Sequence, residues 1–430
     1  MPDDIVKPEI IEREPLIPSL ACKPFVENGY TEKVSYYPGE KMRVFLETRD
    51  RSERCRLTVF SVNGDSVLSV ASELPEMPDI PKDASERGYD LRVAVEINVP
   101  SMASGIYLIE KRIPFIVKTH DPVDVMVVYP SNTANAYAES GGKSLYSKED
   151  RPVAVSFQRP IPLQSLSEYC LKWFSTLEDF SVGYVADVDV DYYERINRAK
   201  VLVLAGHSEY WTRQARLNFD RFVDSGGHAL ILSGNTMWWQ VRYSEDRTKM
   251  FCYRDATADP VSDPLLKTIE WDKPSLLYPI VSSIGADFPR GGYGMKSDNG
   301  WNGYKIATPS SPLFEGLGLK RGDILSLPSL EYDGAPIVGF DPEGYPILDK
   351  ESLNFEKIEL LAFDKGYRAR ETTATFIVFQ RTKEGGMIIN TASTDWCSSS
   401  GMGGKSANAI KRITYNALHK LVNGVRVFRE

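Results

Sequence analysis

The sequence predicts a β-sandwich of immunoglobulin type followed by a doubly wound, mostly parallel α/β domain, and three observations carry that prediction. Residues 24–117 hold short alternating segments rich in β-branched and aromatic residues, with turn signals between them. From residue 123 onward, near-continuous apolar runs alternate with stretches of helical spacing. A chain of 430 residues also exceeds one ordinary hydrophobic core, so more than one domain is expected. The boundaries read as an arm over 1–20, a sandwich over 21–120 and an α/β domain over 121–430.

The arm is polar and broken by Pro2, Pro8 and Pro15. In the sandwich, a strand over 33–37 leads to the turn Pro38-Gly39. Segments 42–47 and 56–62 then alternate before Asn63-Gly64, a strong hairpin signal. Segments 91–99, 105–110 and 113–117 continue the rhythm, with no helix among them. Acids, bases and ligands do not cluster here, which suits a structural role.

Segment 123–128 (VDVMVV) reads as a strand buried on both faces, followed by a long loop over 129–159. Leu166, Tyr169, Cys170, Trp173 and Leu177 give 163–177 a helical stripe. A second strand over 181–186 exits through Asp187, Asp189 and Asp191. These aspartates lack the glycine and distal glutamate of a calcium loop, so a solvated strand exit is expected. The third strand, 199–205, is followed by a helix over 213–225, and the fourth, 228–232, follows the turn Gly226-Gly227. Over about 243–382 the pattern lapses into a proline- and glycine-rich, partly β insertion, expected to fold over the sheet's edge. A late strand over 386–390 and a helix over 405–421, with Ala407, Ile410, Ile413, Ala417 and Leu421 on one face, complete the domain.

Composition excludes several functions. No apolar run approaches the roughly 20 residues of a membrane span, and residues 1–15 show no basic or apolar signal region, so a cytoplasmic protein with no membrane partner is expected. A net charge of -8 without a basic stripe argues against nucleic acid. Five cysteines, odd in number and without a C-x-x-C pair, suit a reducing compartment better than a disulfide framework. A small-molecule substrate is the expected partner, and a homo-oligomer is compatible with the sequence.

The stretch Gly206-His207-Ser208-Glu209-Tyr210-Trp211-Thr212 follows the third strand, and in open α/β sheets ligands gather beyond the carboxyl ends of strands. A plainer reading has His207 capping the next helix and Glu209 complementing its dipole. Tyr137 and Tyr146 after the first strand, Asn235 after the fourth, and Asp395 after the late one fall on the same rim. The layout resembles class I glutamine amidotransferase-like domains, whose nucleophilic cysteine sits in a tight turn after a strand. Here that turn, Ser233-Gly234-Asn235-Thr236, holds asparagine, so a glutaminase is not expected. With only four histidines in the chain, and none of the others placed beside His207, a metal would be held mainly by oxygen, which favours a hard ion such as ferric iron over zinc.

Asn132 to Tyr137 (NTANAY), Gly141 to Tyr146 (GGKSLY), Gly206 to Trp211 (GHSEYW), Ser233-Gly234-Asn235, Glu331 to Gly334 (EYDG) and Ser393 to Trp396 (STDW) occur in that order. Together they resemble the C-terminal domain of the large subunit of N,N-dimethylformamidase, over roughly residues 121–425. The resemblance implies a mononuclear iron held by Tyr137, Tyr146 and Glu209, with His207 and Asn235 as catalytic groups, and amide hydrolysis in a small substrate. Trp238, Glu331 and Asp395 are expected on the substrate side. A smaller partner subunit like the amidase's is compatible with this reading. The alternative is a binding protein without turnover, holding a carbohydrate or other ligand through aromatics such as Trp238, Trp239, Trp301 and Tyr304.

Overall fold

A computed structural model describes residues 21–22, 26–48, 54–294, 300–425 and 427–429. The expected arm over 1–20 lies outside the described residues. The described residues are mostly β-sheet with few helices, arranged in several sheets.

Between residues 26 and 117 a three-stranded sheet (Val26–Thr31, Lys41–Thr48, Val93–Asn98) shares one core with a five-stranded sheet. The latter comprises Ser35–Tyr36, Arg54–Ser61, Ser66–Glu73, Gly105–Ile109 and Ile113–Val117. Period-two alternation turns Met42, Val44 and Leu46 of one sheet and Cys55, Leu57 and Val59 of the other into that core. Among the described residues there, the one helical element is the single turn Ala84–Arg87. Contrary to the sequence reading, Cys22 and Cys55 form a disulfide, while Cys170, Cys252 and Cys397 are free and buried. The amide of Cys22 donates to the Arg56 carbonyl (3.1 Å), laying the entering chain beside the inward-facing Cys55. Thirty-three residues separate the two, and no spacing motif marks them.

Among the described residues the largest sheet has eleven strands. Its central members are β1 (Val123–Tyr129), β2 (Val182–Ala186), β3 (Ala199–Gly206), β4 (His228–Ser233), β5 (Lys357–Tyr367), β6 (Glu371–Gln380) and β7 (Met387–Asn390). They lie in the order β2-β1-β3-β4-β7-β6-β5, and the first five in that order run parallel. Strands β5 and β6 pair antiparallel beyond β7. Helices cover both faces. Val125, Val127, Val201, Val203, Leu230 and Leu232 pack with α2 (Glu168–Phe174) and α5 (Ala407–Val422). Their sequence neighbours Met126, Val128, Leu202, Leu204, Ala229 and Ile231 face the other way, toward α4 (Arg213–Asp224). That is why these strands read as unbroken apolar runs.

Helix α4 begins where the Thr212 side chain accepts a hydrogen bond from the amide of Ala215 (3.0 Å), a cap worth about 1 kcal/mol. Ala215, Phe219, Phe222 and Val223 form its buried stripe, and each phenylalanine contributes about 1.5–3 kcal/mol of burial. It ends before Gly226, whose φ of 94° suits glycine.

Three expectations change. The stretch 129–159 is not simply loop: α1 (Ser131–Tyr137) follows β1 directly, and Ala154–Ser156 is a strand. The stretch 243–382 contributes β5 and β6 to the main sheet, since Ala374 to Phe379 is buried throughout and shows no alternation. Asp187 and Asp189 are not solvated but buried at α3 (Asp187–Val190). Asp189 accepts from Lys118 Nζ (2.9 Å), Arg195 Nη1 (2.6 Å), Ser35 Oγ (2.7 Å) and the Ala186 amide (2.9 Å), pinning the five-stranded sheet to the segment that follows β2. Among the described residues no helix is long and apolar enough to cross a membrane.

Candidate metal and catalytic centre

Strand β3 delivers the site. Gly206 ends it with φ 81°, and a β-carbon there would collide with the side chains of Ser167 and Gln164. That close approach lets Gln164 clamp the next residue: its Oε1 accepts from the His207 amide and its Nε2 donates to the His207 carbonyl, both at 3.0 Å. The Glu209 amide donates to Thr133 Oγ1 of α1 (2.9 Å), so the glutamate is held between β3 and the helix that carries Tyr137.

Four elements converge on the Glu209 carboxylate. Tyr137 at the end of α1 places its hydroxyl 3.0 Å from Oε2. Tyr146 places its hydroxyl 2.8 Å from Oε1 and 2.9 Å from Oε2. The two phenol rings stack with centroids 4.1 Å apart. His207 Nε2 lies 3.2 Å from Glu209 Oε2, 3.3 Å from the Tyr137 hydroxyl and 3.6 Å from Glu331 Oε2. Asn235 Nδ2 donates to Glu331 Oε2 (3.1 Å) and lies 3.5 Å from Glu209 Oε1. Tyr137 and Tyr146 are 41% and 38% exposed, yet their hydroxyls turn inward to the buried carboxylate, so the rings form the rim and the oxygens the floor.

Electrostatics assign the protons. Burial and then the charge of Glu209 push both phenols far above the ordinary tyrosine value, so they are neutral and donate to the carboxylate. Burial works against a charged His207, but the hydrogen bond and charge of Glu209, with Glu331 and the Gly234 carbonyl, lift it to about 9. Its Nδ1 lies 3.1 Å from that carbonyl, which only accepts, so Nδ1 carries a proton and Nε2 faces the site. Burial also raises the Glu331 carboxyl, with His207 opposing and Glu209 reinforcing the shift.

The structure therefore brings Tyr137, Tyr146, His207, Glu209, Asn235 and Glu331 together. It does not bring Trp238, which is buried in the core beside Phe288 and Trp239. Asp395 is also turned away from a ligand: its carboxylate accepts from the Leu330 amide (2.8 Å), Thr394 Oγ1 (2.9 Å) and Ser398 Oγ (2.9 Å), fixing the segment that bears Glu331. Sequence reasoning missed Tyr210 and Arg254. Arg254 Nη2 donates to the Tyr210 hydroxyl (2.5 Å), which donates to the Tyr146 hydroxyl (2.9 Å), a chain behind the site. Tyr210 stood in the motif itself, whereas nothing near Arg254 marks it.

Among the described residues no group of three or more histidine, cysteine, aspartate or glutamate side chains could hold a metal ion. Tyr137, Tyr146 and Glu209 offer hard oxygen donors on one spot, and Asn235 Oδ1 is buried with no hydrogen-bond partner among the described residues.

A family model described as N,N-dimethylformamidase beta subunit-like, C-terminal, matches residues 67–406, taking in part of the N-terminal sheets as well as the site. No curated protein matches the chain. Among solved structures it is similar to a thua-like protein from Bacteroides uniformis ATCC 8492, with 11% identity and a TM-score of 0.35, covering 70% of this chain and 91% of that one.

Proposed function

Because the chain belongs to the N,N-dimethylformamidase beta subunit-like, C-terminal family, we propose that it is a metal-dependent hydrolase of the carbon-nitrogen bond in a small amide, built on an amidotransferase-like α/β scaffold. The observation that carries this reading is the meeting of two phenol oxygens and one carboxylate within 3.0 Å, beside a buried histidine. Tyr137, Tyr146 and Glu209 would hold the ion, the two phenols releasing their protons to do so, and their all-oxygen character favours ferric iron. When bound, such an ion supplies Lewis acidity toward a carbonyl oxygen and lowers the pKa of water.

The chain's own groups account for the rest. His207, whose Nε2 faces the site 3.2 Å from Glu209, is suited to give a proton to the departing amine. The Gly234 carbonyl and the Gln164 clamp hold its ring and backbone while it does so. Glu331, 3.6 Å from that nitrogen and raised by burial, is suited to take a proton from water. Asn235 orients Glu331 through Nδ2 and keeps Oδ1 for an amide N–H or a water. The test is release of amine from dimethylformamide and related amides by protein expressed with iron. Turnover that falls about 10²–10⁴-fold in His207→Gln supports the reading. Equal turnover in that variant, or none in the parent, removes it.

A further inference from the structure

Beside His207 and Tyr137 lies a cavity of about 400 Å³ that the chemistry above does not use. It is lined by Pro162, Leu163 and Leu166 of the loop between the strand Ala154–Ser156 and α2, and by Ala134 and Ala138 of the α1 segment. Among the described residues, lysine, arginine, aspartate and glutamate are all missing from this lining, whose polar members besides Gln164 are Thr133, Ser165, Tyr137 and His207. Gln164 also lines it, but its amide is engaged on both sides with His207 and its oxygen also accepts from Ser167 Oγ (2.7 Å). The loop is anchored further by the Gln164 amide donating to the Tyr129 hydroxyl (3.0 Å).

These features select a ligand. At roughly 30 Å³ per water the cavity has room for about a dozen solvent molecules, far more than dimethylformamide displaces. A cationic group there would meet no carboxylate in the lining and would be desolvated without a partner, which is strongly unfavourable. An apolar group would gain from burial against the leucines and alanines. We propose that this cavity receives the apolar substituent of an uncharged amide larger than dimethylformamide, a medium alkyl or aryl group, with the amide itself at His207 and Tyr137. The proposal rests on the amidase reading for the word amide, and on the cavity alone for the apolar substituent.

The experiment titrates a series of N-alkylformamides of increasing chain length into the purified full chain by calorimetry, and measures amine release from the same series. Affinity is expected to tighten by up to about fourfold per added methylene until the cavity is filled. In Leu166→Ser and Leu163→Ser, each checked for an unchanged circular dichroism spectrum, the dependence on length flattens. The parent series needs no variant, so a folding failure does not blunt the test. Steep length dependence with turnover supports both readings. Steep length dependence without turnover supports the apolar site and removes amide hydrolysis. Turnover of dimethylformamide with affinity flat or falling with length overturns the cavity assignment and leaves the amidase reading standing.

Discussion

Replacing Asp189 by asparagine should cost about 3–5 kcal/mol of stability, although the residue touches no part of the candidate site. Asp189 is 0% exposed and its principal partner, Lys118, is 5% exposed, so the pair is fully inside. The asparagine keeps the shape and one acceptor but leaves the Lys118 ammonium buried without a counter-charge. Arg195, 27% exposed, can turn to water and adds little. Urea unfolding followed by tryptophan fluorescence measures the effect. With a slope of about 3 kcal/mol per molar or steeper, the midpoint falls by roughly 1 M. The double variant Asp189→Leu with Lys118→Met should recover most of the loss, because a well-packed apolar pair can replace a buried ion pair. Burial alone would raise the Asp189 carboxyl, but Lys118 first, then the Ala186 amide and Arg195, hold it below its usual value. Its contribution is therefore complete above about pH 4, the unfolded value, and is lost as pH falls through the folded one. Variant and parent should converge in strong acid. A midpoint for Asp189→Asn within 0.3 M of the parent at about pH 7 would refute the reasoning.

Other outcomes follow from the same geometry. Burial pushes Asp333 up to about 8, and its Oδ1 has no partner among the described residues, so it is protonated at neutral pH. The folded state then holds a proton that the unfolded chain releases, and this group's contribution declines as pH rises from about 4 through the folded value. In Asp333→Asn that decline should vanish, read as a flatter melting temperature between those limits; an unchanged pH profile counts against it. Gly206→Ala should lower stability by about 1–3 kcal/mol and activity with it, since the methyl meets Ser167 and Gln164 and the backbone is left-handed. A thermal melt matching the parent would show that the Gln164 clamp tolerates displacement.

The parallel core was legible because its strands are apolar on both faces and flanked by glycine turns. Strand β3 is extended by only one residue, Gly206, relative to the expected 199–205. The meeting of Tyr137, Tyr146, His207, Glu209 and Asn235 followed from strand ends sharing one rim, aided by motif order. Strands β5 and β6 were hidden because β6 is buried without alternation and its neighbourhood is rich in turns. The buried Asp189 was hidden for a different reason: its partners Ser35 and Lys118 lie 154 and 71 residues away, and no local pattern records a long-range charge pair. Arg254 acts only through Tyr210, so its role exists in space and not in sequence.

The most direct test of the central claim is the metal content and visible spectrum of the full chain expressed with iron and purified without added metal. One iron per chain with a tyrosinate-to-iron absorption band, shifted in Tyr146→Phe and lost together with the metal in Glu209→Ala, is the predicted result. Protein that folds but carries no iron, or a band that survives Glu209→Ala unchanged, would contradict it.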